Sequence, residues 1–410
     1  MSNAFVLDKI RNGGLPVIIF GAGTVGEALF YACGEAGIKV EAFCDNNISK
    51  TESRLCDIEI LPASKLKTRY KDAIFLISAA DIKDVVEQLN ALGYSKWHPS
   101  SLLLRDFDAS RYQFNASAEF VEFAVSTCLL CHDGYLNPDK LFLRSVDLII
   151  TERCSLKCRD CSNLMQYYDD PKDCDTNELL RSIDAFCAVI DGLNEFRVIG
   201  GEPFMNKEIN LVIKRLIDEP KVRKVVIYTN GTIIPRNHLE CLKNDKVLFI
   251  ITDYGALSRK LSELVLWLRE NNIAYHILKV QGWSDCAEIK DHQRNNKQKK
   301  EIFTACCAKN LITLSDGKLS RCPFAANAFR LRAVPDCKDD YINIIQGLRR
   351  DADIRGIKKS IKSFFLEKEF LEACNYCNGR SLEAPADLQP AIQIKNPLKY
   401  ERLRKQSKNQ

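Results

Sequence analysis

Val146-Asp-Leu-Ile-Ile-Thr151-Glu-Arg-Cys154-Ser-Leu-Lys-Cys158-Arg-Asp-Cys161 is an apolar run that passes directly into a loop with three cysteines. Val146–Thr151 reads as a strand. Three thiolates in so short a loop can converge on one metal centre, and thiolates suit zinc or iron–sulfur clusters. Zinc sites usually close with four ligands, and the fourth is missing locally. Three cysteines leave one iron of a [4Fe–4S] cluster without a protein ligand, free to chelate a small molecule. Chance cysteines or a zinc knuckle is the alternative.

Outward from this loop, the apolar runs Phe196–Ile199, Val225–Thr229, Val247–Thr252 and Ala274–Lys279 read as further strands. Helical stretches fall between them at about 177–190, 207–218, 236–243 and 257–271. This alternation implies a parallel sheet. Five clear strands predict a partial (β/α) barrel over 146–283, with any sixth strand weak. Catalytic groups of such barrels sit at the carboxyl ends of the strands. Those ends carry Gly200-Gly201-Glu202-Pro203, Thr229-Asn230-Gly231 and Thr252-Asp253-Tyr254.

The Cys154, Cys158, Cys161 spacing at the end of a first strand resembles the radical S-adenosylmethionine (radical SAM) superfamily, over roughly 146–280. Asp160 stands where that family usually has an aromatic residue. The resemblance implies a [4Fe–4S] cluster on the three cysteines, with S-adenosylmethionine bound to the open iron. One electron then cleaves the cofactor to methionine and a 5′-deoxyadenosyl radical. It also implies that Gly200 and Gly201 let the backbone approach the cofactor and that Glu202 accepts a hydrogen bond from the methionine amino group. Thr229, Asn230 and Thr252 fall where the family places cofactor contacts.

Residues 285–301 are highly polar and read as a mobile loop. Apolar residues then flank an Asp316-Gly317 turn, a hairpin signal. Cys306 and Cys307 precede it, Cys322 follows it, and Cys374-Asn-Tyr-Cys377 comes later. This set resembles the twitch domain, a short relative of the SPASM domain, and implies an auxiliary [4Fe–4S] cluster within 284–390. Whether Cys306 or Cys307 is the ligand stays open; zinc on the same thiolates is the alternative. Cys128 and Cys131 read as connector cysteines, with a third metal site as the lesser option.

Near the N-terminus, Gly21-Ala-Gly23-Thr-Val-Gly26 follows the apolar run Val17–Phe20 and precedes a helix to about Ala36. Asp45 comes after the next strand, Val40–Phe43. Glycines, helix start and acid are the context of a dinucleotide fold. The alternation ends after about four strands, with Ala73–Ser78 a strand and Val85–Leu92 a helix. The segment resembles the small Rossmann domains of sugar-modifying enzymes, which implies a nucleotide or nucleotide-sugar ligand. A degenerate fold that binds nothing is the alternative.

The fold class expected is therefore α/β: a Rossmann-like parallel sheet over 1–110, a connector over 111–145, the partial barrel over 146–283, the twitch-like domain over 284–390 and a basic tail over 391–410. The connector reads as mixed, with Asn115, Gly134, Asn137 and Pro138 as breakers. The whole +5 net charge resides in 391–410, which reads as a solvated terminus. Nucleic acid is not an expected partner. No run approaches a membrane span, and no secretory signal precedes the first strand, so the cytoplasm is expected. Eighteen cysteines there point to metal or redox chemistry, although Cys33, Cys44, Cys187 and Cys241 sit in apolar surroundings as core residues.

The function expected is hydrogen abstraction from a polar small molecule, a sugar or nucleotide-sugar, with an electron donor such as flavodoxin or ferredoxin. Asp253, Tyr254 and His276 are the expected substrate contacts or proton acceptors. A radical maturase of a ribosomal peptide and a non-enzymatic zinc- and nucleotide-binding protein are the alternatives.

Overall fold

Along the first strand, side chains alternate between two apolar layers. In the computed structural model, residues 3–51, 53–114, 116, 118–137, 139–348, 354–381 and 387–403 are described. Val17 and Ile19 join one core cluster and Ile18 and Phe20 another, so helices cover both faces of the sheet, as a buried parallel sheet requires. The strands are β1 (Val17–Phe20), β2 (Val40–Cys44), β3 (Arg54–Leu55), β4 (Ile58–Leu61), β5 (Ile74–Ile77) and β6 (Trp97–Pro99). Their order is β3-β4-β2-β1-β5-β6, parallel except for the β3–β4 hairpin. Among the described residues six strands thus replace the four expected; β3 and β6, of two and three residues, are too short to give a pattern. This unit spans Met1–Arg144.

Gly134 does not break the chain as expected. Ala118–Leu136 is one helix, and Gly134 lies inside it. Val121, Val125, Cys128 and His132 form its buried face at helical spacing. Apolar residues on its other faces hide that period in the sequence. Asn115 and Pro138 lie outside the described residues. Ser100 N donates to His132 Nδ1 at 3.2 Å, so the ring proton sits on Nε2, which donates to Ala79 O at 2.8 Å. Cys128 Sγ packs 3.3 Å from Ser100 Oγ in the same network.

The second unit spans Ser145–Gln410. Its sheet is built from β7 (Phe142–Thr151), β8 (Gly192–Gly200), β9 (Val222–Thr229), β10 (Val247–Asp253), β11 (Ala274–Lys279), β12 (Ile312–Ser315), β13 (Lys318–Arg321) and β14 (Tyr341–Asn343). The order is β11-β10-β9-β8-β7-β12-β13-β14. β8 to β11 pair in parallel, with helices Ile209–Ile217, Leu239–Leu242 and Leu261–Glu270 between them. The helix before β8, Thr176–Val189, starts on Asp175, whose carboxylate accepts from Glu178 N, a cap that stabilises by about 1 kcal/mol. Its buried Leu179, Ile183 and Phe186 face the sheet, with Phe186 edge-on to Phe196.

The expected hairpin forms, with Asp316 and Gly317 both at positive φ, 50° and 70°, as a two-residue turn of this kind requires. It does more than predicted. β12 pairs in parallel with β7, Ile312 opposite Val146 and Leu314 opposite Leu148. The sheet is therefore extended on the β7 side, and the edge of the first barrel strand is covered. No helix among the described residues is long and apolar enough to cross a membrane.

Candidate active site

The carboxyl end of β8 runs so close to the cysteine loop that side chains are excluded there. A Cβ on Gly200 (φ +139°) would stand 2.2 Å from Thr151 O, and one on Gly201 would stand 2.1 Å from Arg153 O. Glycine alone permits this approach. Gly201 N then donates to Thr151 O at 2.9 Å and Glu202 N to Arg153 O at 2.8 Å, which fixes the start of the loop against the sheet.

Cys154, Cys158 and Cys161 line one cavity of about 370 Å³, together with Gly200, Gly201, Thr229, Asn230, Thr252 and Tyr254. Each thiol receives N–H groups. Leu156 N reaches Cys154, and Asn163 N and Met165 N reach Cys161. Asn230 Nδ2 stands 3.7 Å from Cys154 Sγ, and Gln393 Nε2 stands 3.2 Å from Cys158 Sγ. Burial pushes Cys158 up to about 11 and raises Cys154 and Cys161 as well. Thiols so placed ionise when a cationic centre binds. Among the described residues, no three Cys, His, Asp or Glu side chains close on a single-ion point. Three thiols spread around one cavity and met by N–H donors fit a [4Fe–4S] cluster, whose irons are held one thiolate each.

Glu202 does not reach the cavity. It is fully buried behind the wall, where Oε1 accepts from Thr229 Oγ1 and Oε2 from Asn230 N, both at 2.9 Å. Burial pushes its carboxyl up to about 7. Its carboxylate joins the ends of two strands. Asp253 is also off the cavity wall, its carboxylate turned to Gly255 N at 2.9 Å. His276 lies exposed on β11. Of the expected catalytic residues only Tyr254 lines the cavity, edge-on to Trp283 with ring centroids 5.8 Å apart; burial raises its phenol.

Among the cavity residues that were not expected are Asp147, Arg197 and Tyr228. Arg197 Nε donates to Glu195 at 3.0 Å, its NH1 lies 3.8 Å from Asp147 Oδ1, and its guanidinium sits 5.8 Å from the Tyr228 ring centre. Among the described residues no hydrogen-bond donor reaches the Asp147 carboxylate, which burial pushes up to about 6 against the pull of Arg197. The available signal was a charge inside each apolar strand. A buried charge without full pairing is costly and marks function.

The later cysteines separate into two groups. Cys306, Cys322, Cys374 and Cys377 line one small cavity, and Cys307 does not. Backbone N–H groups meet all four sulfurs: Ala308 N to Cys306 and Ala325 N to Cys322, each at 3.4 Å, Gly379 N to Cys377 at 3.1 Å, and Leu371 N to Cys374. Cys322 is held at φ 72°, before Pro323 at the start of helix Pro323–Leu331. Burial pushes Cys374 and Cys377 up to about 12. Four thiols around one space, each with an N–H donor, fit a second cluster.

Residues 285–301 are docked rather than loose. Arg294 NH1 donates to Cys374 O at 2.6 Å and Cys377 O at 2.7 Å, and His292 N donates to Asn375 O. Asn295 then caps helix Asn296–Ala305 in a reciprocal box with Gln298. The polar side chains read as a solvated loop bind the second cysteine turn. The basic tail is tied down too: 391–403 is hydrogen-bonded to this unit at several points, and 404–410 lie outside the described residues.

In the first unit, Gly21 (φ +115°) and Gly26 leave no room for a Cβ, which would stand 2.4 Å from Ser78 Oγ and 2.1 Å from Gly21 O respectively. Gly23 is open, with Lys50 Nζ its nearest neighbour. Asp45 Oδ2 accepts from Ala22 N at 2.8 Å and pairs with Lys50 at 3.2 Å. The acid thus braces the glycine turn.

The radical SAM superfamily model matches residues 148–256, and a model described as C2185-like, N-terminal, matches 15–99. Over 90 residues the chain is 36% identical to the GTP 3′,8-cyclase of Stenotrophomonas maltophilia (strain R551-3), covering 22% of this chain and 27% of that protein. It is 31% identical over 97 residues to the GTP 3′,8-cyclase of Clostridium acetobutylicum, covering 23% and 30%. The match thus spans little more than a quarter of the length of these curated relatives. Among solved structures, BtrN in complex with AdoMet and 2-DOIA aligns at 18% identity over 62% of this chain and 98% of that one, TM-score 0.38. Streptococcus suis SuiB bound to S-adenosylmethionine aligns at 15% over 42% of each, TM-score 0.31. Residues 148–256, which carry the three-cysteine loop and the strand-end motifs around it, are thus similar to the radical SAM superfamily.

Proposed function

We propose that the chain is a radical SAM enzyme that takes a hydrogen atom from a hydroxyl-rich small molecule, a sugar or nucleotide-linked polyol. The observation that carries this reading is the Asp147–Arg197 pair in the same cavity as Cys154, Cys158 and Cys161. When bound, a [4Fe–4S] cluster and S-adenosylmethionine supply one-electron cleavage of the sulfonium. The residues do the rest. Asp147 accepts a hydrogen bond from a substrate hydroxyl and can hold its proton, because a carboxyl raised by burial is suited to that role near neutral pH. Arg197, stacked on Tyr228, donates to a second oxygen. Tyr254 and Trp283 exclude water from one side of the cavity.

Cys306, Cys322, Cys374 and Cys377 hold a second cluster in this reading. Pro323 lines the substrate cavity and adjoins Cys322, so an electron has a short way out of the substrate. A flavodoxin or ferredoxin supplies the first electron. The glycine turn, with Lys50 beside Gly23, holds a nucleotide phosphate. GTP 3′,8-cyclases, by their name, act on a nucleotide, which agrees with a nucleotide-linked substrate.

The test is anaerobic turnover with ring-deuterated sugars and sugar nucleotides. Label should appear in 5′-deoxyadenosine, and Asp147→Asn should lower it at least tenfold. If sugars give none and a deuterated short peptide does, the substrate reading is replaced by peptide maturation.

A further inference from the structure

The segment 388–400 lies along the three-cysteine loop. Cys158 and Gln393 form an antiparallel bridge. Arg159 N donates to Ile392 O at 2.8 Å, and Ile394 N donates to Lys157 O at 2.9 Å. The strap is fastened on both sides. Trp283 and Leu388 exchange backbone hydrogen bonds at 2.9 and 3.0 Å, and Leu398 N donates to Gln166 O at 2.8 Å.

Within the strap, every polar atom of the Gln393 amide has a partner. Oε1 accepts from Lys157 N at 2.8 Å, and Nε2 donates to Ala391 O at 2.8 Å and to Cys158 Sγ at 3.2 Å. The amide can face only one way. Lys157 N is a donor, so the oxygen must meet it, and both hydrogens on Nε2 then point to acceptors. Ala391, buried at φ 57°, turns the chain just before the glutamine. A left-handed alanine costs about 1 kcal/mol or more, and the bonds on either side of it hold it there.

We infer that Gln393 is a positioning residue for the iron–sulfur centre, its amide N–H donating to the Cys158 thiolate and raising the centre's reduction potential. This rests on Cys154, Cys158 and Cys161 being the cluster ligands. A hydrogen bond to a ligating sulfur withdraws negative charge and so favours the reduced, more negative state. The strap also seals the outer side of the loop with backbone pairs, which keeps that bond short.

The test is a redox titration of the anaerobically reconstituted full chain, followed by electron paramagnetic resonance. The signal read is the one absent from the triple variant Cys154→Ala/Cys158→Ala/Cys161→Ala. In Gln393→Ala its midpoint should move to more negative potential. In Gln393→Glu it should move further, because a carboxylate keeps the bond from Lys157 N but sets negative charge against the sulfur. A role confined to folding would leave the midpoint of the correctly folded Gln393→Glu protein where it was. Unchanged midpoints with iron retained overturn the inference and leave the cluster reading standing. Absence of iron and sulfide from the three cysteines in the native chain overturns both.

Discussion

Asn230 N donates to Glu202 Oε2 at 2.9 Å, tying the end of β8 to the end of β9 behind the cavity wall. Thr229 Oγ1 donates to the other carboxylate oxygen at 2.9 Å. The acid therefore acts on the backbone that carries Asn230, whose side chain in turn contacts Cys154 and Ser155.

Glu202→Ala should destabilise the protein. It leaves a buried backbone N–H and a hydroxyl without acceptors, at about 1–3 kcal/mol each. A lower urea midpoint of the metal-free chain is the expected result. An unchanged midpoint would show that water or a neighbour satisfies both donors.

Asp147 should give the metal-free protein a pH dependence. Its carboxyl, ordinarily near 3.8, is pushed by burial up to about 6 in the fold. The folded state then binds more protons than the unfolded state between those values. The Asp147 contribution is complete below about pH 4 and is lost as pH rises through about 6. The loss is on the order of 2–3 kcal/mol. Asp147→Asn should flatten that part of the stability profile; the same slope in both proteins would assign it elsewhere.

Cys306 and Cys307 should separate cleanly in iron analysis. With two clusters the chain holds about eight irons. Cys306→Ala should bring this to about four, and Cys307→Ala should leave it unchanged, because Cys306 alone of the two lines the cavity with Cys322, Cys374 and Cys377. The triple variant at Cys154, Cys158 and Cys161 should also keep about four. Equal losses at both neighbouring positions would contradict the cavity geometry.

His276→Ala and Asp253→Asn should each keep 5′-deoxyadenosine formation within about twofold of the native rate, a difference of less than ~0.5 kcal/mol in barrier. His276 is exposed, and the Asp253 carboxylate caps Gly255. Tyr254→Phe should slow it more, since Tyr254 lines the cavity. A tenfold loss at His276 would return it to the reaction.

The sequence by itself determined the features whose geometry is local. Cys154, Cys158 and Cys161 fall within eight residues, so their loop brings them together whatever surrounds it. Asp316-Gly317 announced a tight hairpin, because it needs conformations that other residues resist, whereas Gly200 and Gly201 were read for approach to a cofactor and the structure sets them against the backbone of Thr151 and Arg153. The strands β7 to β11 were legible as apolar runs. What only the tertiary structure decided is which way side chains face and what pairs at long range. Polarity misled where it was satisfied inside the protein: the 285–301 stretch binds the Cys374–Cys377 turn. Asp147 and Arg197 lie on different strands, and only the fold turns both toward one cavity. Cys158 and Gln393 are 235 residues apart. No period or spacing joins them, because their contact exists only after the strap has folded back across the loop.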